Sequence, residues 1–254
     1  MYSYDLDGIR ILSTDLTELR SYFINSLVNP GKPQLIVTFN LEYYRNAIIN
    51  SHFYSVCRTA DMVLPDGVSI TSLIKLKHKK KVLRITGNDL FKLILGITNE
   101  IPLKIAFVGS TEQVIEQLKN KISIEYPACK IAAAISPSYY FENKEEENNK
   151  VLQQLVNSKP DVIFLALRNP RTEFWLDKYK DKIGSKLNIG IGAAFDFYTG
   201  RKKRSPEIFQ KLALEWAWRL FQEPKRLYKR YLVEGIPFYI KKAFQIILKN
   251  DSRT

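Results

Sequence analysis

Asp161-Val-Ile-Phe-Leu-Ala-Leu167 is the stretch that decides the fold, because it is an apolar run with no polar alternation. A run of this kind predicts a strand that is buried on both faces, as in a parallel sheet covered by helices. Similar apolar, β-branched runs recur on either side of it, at residues 34–39, 60–64, 103–108, 130–134 and 187–191. The chain therefore offers six candidate strands for one sheet.

The segments between these strands have the pattern of helices. Ser110 and Gln113 have the spacing of a capping box, and Val114 and Leu118 then fall on one helical face. Residues 145–156 form a second, more polar helical pattern. Strands that alternate with helices through short connections predict an α/β fold built on a parallel sheet.

The composition excludes several classes of protein. The 254 residues are 45% hydrophobic, which is typical of a folded globular chain. Two cysteines exclude a disulfide framework and a cysteine-based zinc site, and two histidines argue against a histidine-rich metal site. No apolar run has the roughly 18–20 residues of a membrane span, and the N-terminus lacks the pattern of a signal peptide. We therefore expect a cytoplasmic protein, or one on the cytoplasmic face of a membrane.

The C-terminal part of the chain has a different pattern. Its first stretch, 207–221, places four apolar residues at i+4 spacing and is followed by Pro224, which predicts an amphipathic helix that ends there. These four residues are Ile208, Leu212, Trp216 and Leu220. Two further stretches, 225–231 and 238–248, combine basic with apolar residues. We therefore divide the chain into an α/β core, residues 1–200, and a basic helical appendage, residues 201–254.

The positive charge is concentrated in this appendage. The formal net charge is +13, and residues 201–254 hold 14 of the 39 basic residues but only 5 of the 26 acidic ones. A basic segment suits nucleic acid, anionic lipid or a phosphorylated ligand, and a solvated surface is the plain alternative. A second cluster, from Lys75 to Lys81, is short, and we expect it to be a solvated helix end or loop.

Polar residues follow the ends of the predicted strands, where a parallel sheet binds its ligands. Taken singly, each has a structural explanation: Asp66-Gly67 suits a β-turn, Asp196 could cap a helix, and Arg84 could pair with Asp89. Gly109 alone is a weak signal for phosphate because no G-x-G-x-x-G pattern surrounds it. Five such polar segments at one edge of the predicted sheet are less easily explained by separate structural roles, and together they indicate a ligand site. They contain Thr38 and Asn40, Asp66, Gly109 and Ser110, the run 169–173, and Asp196.

Several segments form an ordered set of motifs. They are Thr38-Phe-Asn40, Ala60-Asp-Met-Val-Leu-Pro-Asp-Gly67, Arg84-Ile-Thr-Gly-Asn-Asp-Leu90, Gly190-Ile-Gly-Ala-Ala-Phe-Asp-Phe197, Gly200-Arg-Lys-Lys-Arg-Ser-Pro206 and Leu214-Glu-Trp-Ala-Trp-Arg-Leu-Phe-Gln-Glu-Pro-Lys-Arg-Leu227, with Arg230-Tyr231 after them. With these motifs the chain resembles the WecG/TagA/CpsF family of bacterial glycosyltransferases, from about residue 5 to 235. The order and number of the motifs make the resemblance specific.

The resemblance implies a fold, a reaction and a location. The fold is a Rossmann-like parallel sheet core with a C-terminal helical appendage that helps complete the active site at the membrane. The reaction is an inverting, metal-independent transfer of an N-acetylmannosamine-type sugar from a UDP-sugar to a sugar on undecaprenyl diphosphate, in teichoic acid or other cell-surface polysaccharide synthesis. The implied place is the inner face of the bacterial cell membrane, as a peripheral protein on an anionic surface. No metal or other cofactor is implied, and a homo-oligomer is left open.

The resemblance also assigns roles to individual residues. Asp66 matches the base that takes the proton of the acceptor hydroxyl, with Thr38 beside it. Arginines suit a leaving diphosphate because the planar guanidinium makes bidentate contacts with phosphate. The residues implied for the acceptor or substrate are Asn40, Arg84, Asp89, Thr172 and Glu173, and those implied for UDP are Gly109, Asp196, Arg219, Arg226 and Arg230.

The chain departs from the family pattern in one segment. Where the family has Gly-x-Pro-Lys-Gln-Glu-x-Trp, this chain has Arg168-Asn-Pro-Arg-Thr-Glu-Phe-Trp175. Thr172 replaces a glutamine of the pocket, Arg168 replaces a small residue, and elsewhere Ala193 replaces a glycine. These changes leave the sugar open, so a uronic acid or a hexose donor for capsule or exopolysaccharide is an alternative.

Two functions of other classes are weighed against this one. A nucleic-acid-binding protein could use the basic appendage, but the sequence has no recognised DNA or RNA module and its aromatic, apolar face fits a membrane better. We therefore expect no nucleic acid among the partners. A noncatalytic relative is the other alternative, and the retained Asp66, Thr38 and arginines argue against it.

Overall fold

A parallel sheet of six strands forms the centre of the protein. The structure is a computed structural model, and it describes residues 1–203, 206, 209 and 215–251. Its strands are β1 (Tyr2–Leu6), β2 (Ile9–Ser13), β3 (Gln34–Phe39), β4 (Met62–Pro65), β5 (Lys104–Gly109), β6 (Lys130–Ile135), β7 (Val162–Ala166) and β8 (Leu187–Gly190). The large sheet has the order β4-β3-β8-β7-β5-β6 with parallel pairings throughout. The six predicted strands are confirmed, and their ends shift by no more than two residues.

Strand β7 lies inside the sheet, between β5 and β8. Its side chains alternate between two apolar cores, with Ile163 and Leu165 in one and Val162 and Phe164 in the other. All four side chains are fully buried. The unbroken apolar run of the sequence is thus explained, because neither face of this strand meets water.

Helices cover both faces of the sheet. They are α1 (Leu16–Val28), α2 (Leu41–Ile49), α3 (Ser51–Thr59), α4 (Val68–His78), α5 (Gly87–Ile97), α6 (Glu112–Glu125), α7 (Glu145–Ser158), α8 (Arg171–Ile183) and α9 (Ala194–Thr199). The two helices predicted after residues 110 and 145 are confirmed as α6 and α7. The capping role predicted for Ser110 is wrong, because Thr111 caps α6 by accepting a hydrogen bond from the Val114 N–H. Ser110 instead has a φ of 63° and belongs to the turn that leaves β5.

The N-terminal hairpin is a feature that the sequence analysis did not predict. Strands β1 and β2 pair antiparallel, and Asp7 and Gly8 form the turn with φ values of 52° and 86°. Leu6, Ile9 and Ile11 of this hairpin are fully buried. The Asp-Gly dipeptide between two short alternating segments is the sequence signal that identifies it, because both turn residues must adopt positive φ.

Beyond residue 214 the described chain is helical. It contains α10 (Glu215–Gln222), α11 (Pro224–Tyr228), a π-helical segment (Lys229–Gly235) and α12 (Ile236–Asp251). Helix α10 ends before Pro224, as predicted, but the first part of the predicted amphipathic helix, with Ile208 and Leu212, lies outside the described residues. So do residues 252–254. The division of the chain at residue 200 stays a prediction.

Helix α12 has two apolar faces. One packs on α4 and the core through Phe238, Tyr239, Ala243 and Ile246. The other is exposed to solvent, and we call it the apolar stripe: Ile236, Ile240, Phe244, Ile247 and Leu248. Within the ranges that the structure describes, no helix is both long enough and apolar enough to cross a membrane.

Candidate active site

The loops that follow the strands line one large cavity of about 1280 Å³. It lies at the carboxyl edge of the sheet, which is where a parallel sheet binds its ligands. The structure brings together there most of the residues predicted from the sequence. From the core these are Thr38, Asn40, Asp66, Gly109 and Asp196, and from the appendage Arg219, Arg226 and Arg230.

Asp66 stands at the end of β4, where its backbone N–H donates a hydrogen bond to the Phe39 carbonyl at 2.9 Å. Burial raises the pKa of its carboxyl to about 7, although Arg84 and Arg219 nearby act to lower it. Glu215 acts in the opposite direction and raises the pKa. A carboxylate with a pKa near neutrality is well suited to exchange a proton with a hydroxyl group.

Thr38 and Asn40 flank Asp66 on the neighbouring strand. The Thr38 hydroxyl, 5% exposed, donates to the Gly190 carbonyl at 3.2 Å and so ties β3 to β8. The Asn40 side-chain oxygen caps α2 by accepting from the backbone N–H groups of Glu42 and Tyr43. The cap explains how Asn40 is held in place while its side chain lines the cavity wall.

A second cavity, of about 420 Å³, adjoins the first. Asp66 lies on the wall that the two cavities share, together with Asn40, Glu42, Glu215, Arg219 and Arg230. The second cavity is formed between the core and the appendage, and its lining includes the apolar or aromatic side chains of Val68, Trp216, Tyr231, Ile236 and Tyr239. Arg84 also lines it and forms an ion pair of 2.9 Å with Glu215.

The predicted appendage arginines bring positive charge to the large cavity. The Arg230 guanidinium pairs with Glu42 at 2.5 Å, and that of Arg226 pairs with Glu223 at 2.5 Å. The Arg219 guanidinium lies 5.5 Å from the centre of the Phe197 ring. Because all three side chains line the same space, an anionic ligand there would meet several cations at once.

Gly109 lines the cavity at the end of β5, and Asp196 lines it from the first turn of α9. Gly109 has a φ of 109°, and a Cβ atom there would lie 2.6 Å from the Ala166 carbonyl oxygen. The position therefore requires glycine, and the backbone is left open to a ligand. The Asp196 carboxylate accepts a hydrogen bond from Arg201 at 3.4 Å.

Three predicted site residues lie behind the cavity walls. Asp89 completes a capping box with Thr86 at the start of α5. Thr172 is 1% exposed, and its hydroxyl accepts a hydrogen bond from the Leu167 N–H at 3.1 Å. Glu173 is also 1% exposed. None of the three is among the residues that line either cavity, so their roles in substrate binding stay predictions.

The structure adds residues that the sequence analysis did not single out. Tyr43 and Glu42 reach the large cavity from the first turn of α2, and Glu215 reaches both cavities from α10. Glu215 directly precedes Trp216 in one of the quoted motifs, which is the available signal for it. Among the described residues there is no group of three or more His, Cys, Asp or Glu side chains that could hold a metal ion. The metal-independent mechanism stays a prediction.

Comparison with known proteins relates the chain to one family of glycosyltransferases. The sequence profile described as "Glycosyl transferase WecG/TagA/CpsF family" matches residues 4–252. A curated protein of Bacillus subtilis is 30% identical over 239 residues, which cover 94% of this chain and 90% of that protein. Relatives from Bacillus spizizenii and Staphylococcus aureus are 29% and 27% identical, over 94% of this chain and 90% and 89% of their own lengths. All three are named N-acetylglucosaminyldiphosphoundecaprenol N-acetyl-beta-D-mannosaminyltransferase.

Proposed function

The chain belongs to the WecG/TagA/CpsF family of glycosyltransferases, and on that premise we propose that it transfers an N-acetylmannosamine-type sugar from a UDP-sugar to a sugar on undecaprenyl diphosphate. The names of its relatives describe an N-acetylmannosaminyl transfer to such a lipid-linked acceptor. The single observation that carries the proposal is the position of Asp66 on the wall shared by two cavities. A group transfer between two substrates needs a proton acceptor at the point where they meet.

In this mechanism the acceptor hydroxyl attacks the anomeric carbon of the donor sugar from the face opposite UDP. Asp66 takes the hydroxyl proton as the new C–O bond forms, and the bond from the sugar to the UDP oxygen breaks. The configuration at the anomeric carbon is inverted. The Thr38–Gly190 hydrogen bond ties the end of β3, which pairs with β4 beside Asp66, to the end of β8. The raised pKa of Asp66, about 7, makes the carboxylate a stronger base than an exposed aspartate.

The UDP leaving group is expected to gain negative charge on its diphosphate as this bond breaks. Arg219, Arg226 and Arg230 would stabilise that charge without a metal. Glu42 and Glu223 hold two of these guanidinium groups in place. The uridine would lie toward Gly109 and Asp196, which line the same cavity.

The acceptor would occupy the second cavity. Asn40 and Arg84 on its wall supply polar groups for a sugar diphosphate. The side formed by Trp216, Tyr231 and Ile236 is apolar or aromatic, which suits the first part of a polyprenyl chain. The donor and the acceptor then approach Asp66 from different sides.

The lipid carrier requires the protein to reach a membrane, and the apolar stripe of α12 supports peripheral binding at the inner face of the cell membrane. Ile240 is 60% exposed and Phe244 is 59% exposed, with Lys241 between them. Exposed apolar side chains beside lysines are typical of helices that lie on anionic lipid. The double variant Ile240→Glu/Phe244→Glu should lose flotation with anionic liposomes. Ile124→Glu, at an 80% exposed position of α6, is the matched control and should retain it.

A uronic acid donor is the second candidate, and Arg168 is the observation that favours it. This side chain is exposed and lines the large cavity, and no ion pair is found for it within the described part of the chain. A carboxylate on the donor sugar would be a fitting partner. Under this alternative, Arg168→Ala lowers turnover of UDP-N-acetylmannosaminuronic acid and leaves that of UDP-N-acetylmannosamine unchanged.

The test is product analysis with the full chain, a panel of UDP-sugars and a synthetic polyprenyl-diphosphate N-acetylglucosamine. The proposal predicts release of UDP together with a lipid product heavier by one N-acetylmannosamine residue. UDP-glucose and the uronic acid donor are the comparison arms. If the protein releases UDP with none of these donors, or forms no lipid-linked product, the proposed function is wrong.

A further inference from the structure

The Glu173 carboxylate is buried in the first turn of α8, behind the wall of the large cavity. Its Oε1 accepts a hydrogen bond from the Tyr43 hydroxyl at 2.8 Å, and its Oε2 accepts one from the Asn169 side-chain nitrogen at 3.1 Å. Burial of a carboxylate costs free energy, which its hydrogen bonds offset only in part when no opposite charge is paired with it. Glu173 itself does not line the cavity, whereas Tyr43 and Asn169 both do.

These hydrogen bonds fix the polar atoms that the wall presents. The Asn169 nitrogen donates to Glu173, and its oxygen accepts from the Asn46 side-chain nitrogen at 2.6 Å. An ionised carboxylate only accepts hydrogen bonds, so the Asn169 amide has one favoured orientation. For the same reason the Tyr43 proton points toward Glu173, and the hydroxyl oxygen keeps only its capacity to accept a hydrogen bond.

The backbone beside Glu173 is shaped to admit the carboxylate. A Cβ atom at Gly190 would lie 2.7 Å from Glu173 Oε1 and 2.9 Å from the Thr172 methyl carbon. The carbonyl of this same glycine accepts the hydrogen bond from Thr38. Glu173 therefore packs directly against the end of β8. That strand end is hydrogen-bonded to Thr38 of β3, which is a predicted active-site residue.

We propose that Glu173 is a positioning residue that fixes Asn169 and Tyr43 in a single hydrogen-bonding arrangement for the sugar of the nucleotide donor. This role rests on the proposed function, because it assigns the large cavity to that donor. A sugar with hydroxyl and acetamido groups needs hydrogen-bond donors and hydrogen-bond acceptors at defined points of the cavity wall. A site that holds its polar groups in place discriminates against a ligand with a different pattern.

When Glu173 is protonated, the hydrogen bonds of Tyr43 and Asn169 are no longer restricted to one arrangement, because a carboxylic acid can donate a hydrogen bond as well as accept one. Burial raises the pKa of Glu173 to about 7. The other titratable groups that act on it or are acted on by it are Tyr43 and Glu42 on α2 and Cys57 on α3. Glu173 is ionised above its pKa, so the affinity for the donor sugar should fall as the pH drops through about 7.

The experiment measures binding in Asp66→Asn chains without acceptor, so that Asp66 does not titrate and no sugar is transferred. The dissociation constant of UDP-N-acetylmannosamine is measured at pH 8 and pH 6, with UDP at pH 8 as a check on the site. Added to this background, Glu173→Gln keeps the size of the side chain but replaces one of its two acceptor oxygens by an amide nitrogen, so that Tyr43 and Asn169 can no longer both donate to it. We expect about tenfold weaker binding of the UDP-sugar at pH 8, no pH dependence, and unchanged binding of UDP.

A further pair of variants separates positioning from packing. Glu173→Gln with Asn169→Asp restores a hydrogen bond between the two side chains, but the wall then presents oxygen atoms in place of the amide. Thermal stability should recover in this double variant, and affinity for the UDP-sugar should not. Glu146→Gln, at an exposed position of α7, is the charge control and should bind like the parent.

Parental affinity and pH dependence in Glu173→Gln would overturn the role, and so would full recovery of affinity in the double variant. If Glu173→Gln does not fold, Tyr43→Phe is used in its place, because it removes only the hydroxyl. It should weaken binding of the UDP-sugar by a few fold and leave binding of UDP unchanged. Equal loss for both ligands would then contradict positioning of the sugar. Failure of every variant and of the parent to bind UDP would overturn the proposed function itself, and this role with it.

Discussion

Two substitutions that break the same ion pair should shift the pH dependence of turnover in opposite directions. The pair joins Arg84 and Glu215 at 2.9 Å, and both side chains line the second cavity with Asp66. Arg84 lowers the pKa of Asp66, and Glu215 raises it. Arg84→Gln should therefore raise the pKa of Asp66, and Glu215→Gln should lower it.

The expected shift is about one pH unit in each direction. At an effective dielectric constant near 20, and with the separation taken as about 10 Å, a unit charge changes the free energy of ionisation by about 1.7 kcal/mol, against about 1.4 kcal/mol for one pH unit. The pKa of Asp66 is about 7, and a base must be ionised to act. The pH at which turnover falls to half of its plateau on the acidic side should thus lie near pH 7 in the parent. This midpoint should lie at about pH 6 in Glu215→Gln and at about pH 8 in Arg84→Gln.

The assay is UDP release between pH 5 and pH 9 at saturating donor and limiting acceptor. Saturating donor removes any effect of Glu173 on donor affinity. Each profile is normalised to its own plateau, because both variants lose the same contact between core and appendage. Lys77→Gln breaks the more exposed ion pair with Asp5 and should leave the midpoint near pH 7. Midpoints that move in the same direction, or that do not move, would refute the electrostatic account of Asp66.

Other predictions concern stability and are measured by urea unfolding. Gly109→Ala should destabilise the fold by about 1–3 kcal/mol, because φ is 109° and the new Cβ meets the Ala166 carbonyl at 2.6 Å. Gly96→Ala, in a helix and with no atom outside the adjacent residues and the local helix backbone within 4 Å of the new Cβ, should stabilise it by up to about 1 kcal/mol. Phe91→Ala should cost about 3–5 kcal/mol because this fully buried ring packs against four other aromatic rings. Phe221→Ala, at an 84% exposed position, should change stability by less than about 0.5 kcal/mol.

Local pattern was enough to predict the sheet and the edge at which the large cavity lies. The run 161–167 is apolar because β7 has a core on each side, and this property can be recognised without knowing the partners of the strand. The order of strand and helix then places Thr38, Asp66 and Gly109 at one edge, because parallel strands all end on the same side. The α/β prediction is confirmed for this reason.

Features that depend on distant parts of the chain could not be predicted in the same way. The second cavity exists because the appendage approaches the core, as the ion pair between Arg84 and Glu215 shows. Nothing in the local sequence identifies such a partner 131 residues away. The burial of Glu173 is a similar case, since an acidic residue in the first turn of a helix is usually exposed.

The measurement that tests the central claim most directly is the turnover number of Asp66→Asn with UDP-N-acetylmannosamine and the lipid-linked acceptor. Loss of a general base should lower the turnover number by roughly 10²- to 10⁴-fold. UDP binding and thermal stability should be retained, and Asp181→Asn, at an exposed position of α8, should behave like the parent. A folded Asp66→Asn protein that binds UDP and turns over at close to the parental rate would contradict the assignment of Asp66 as the base.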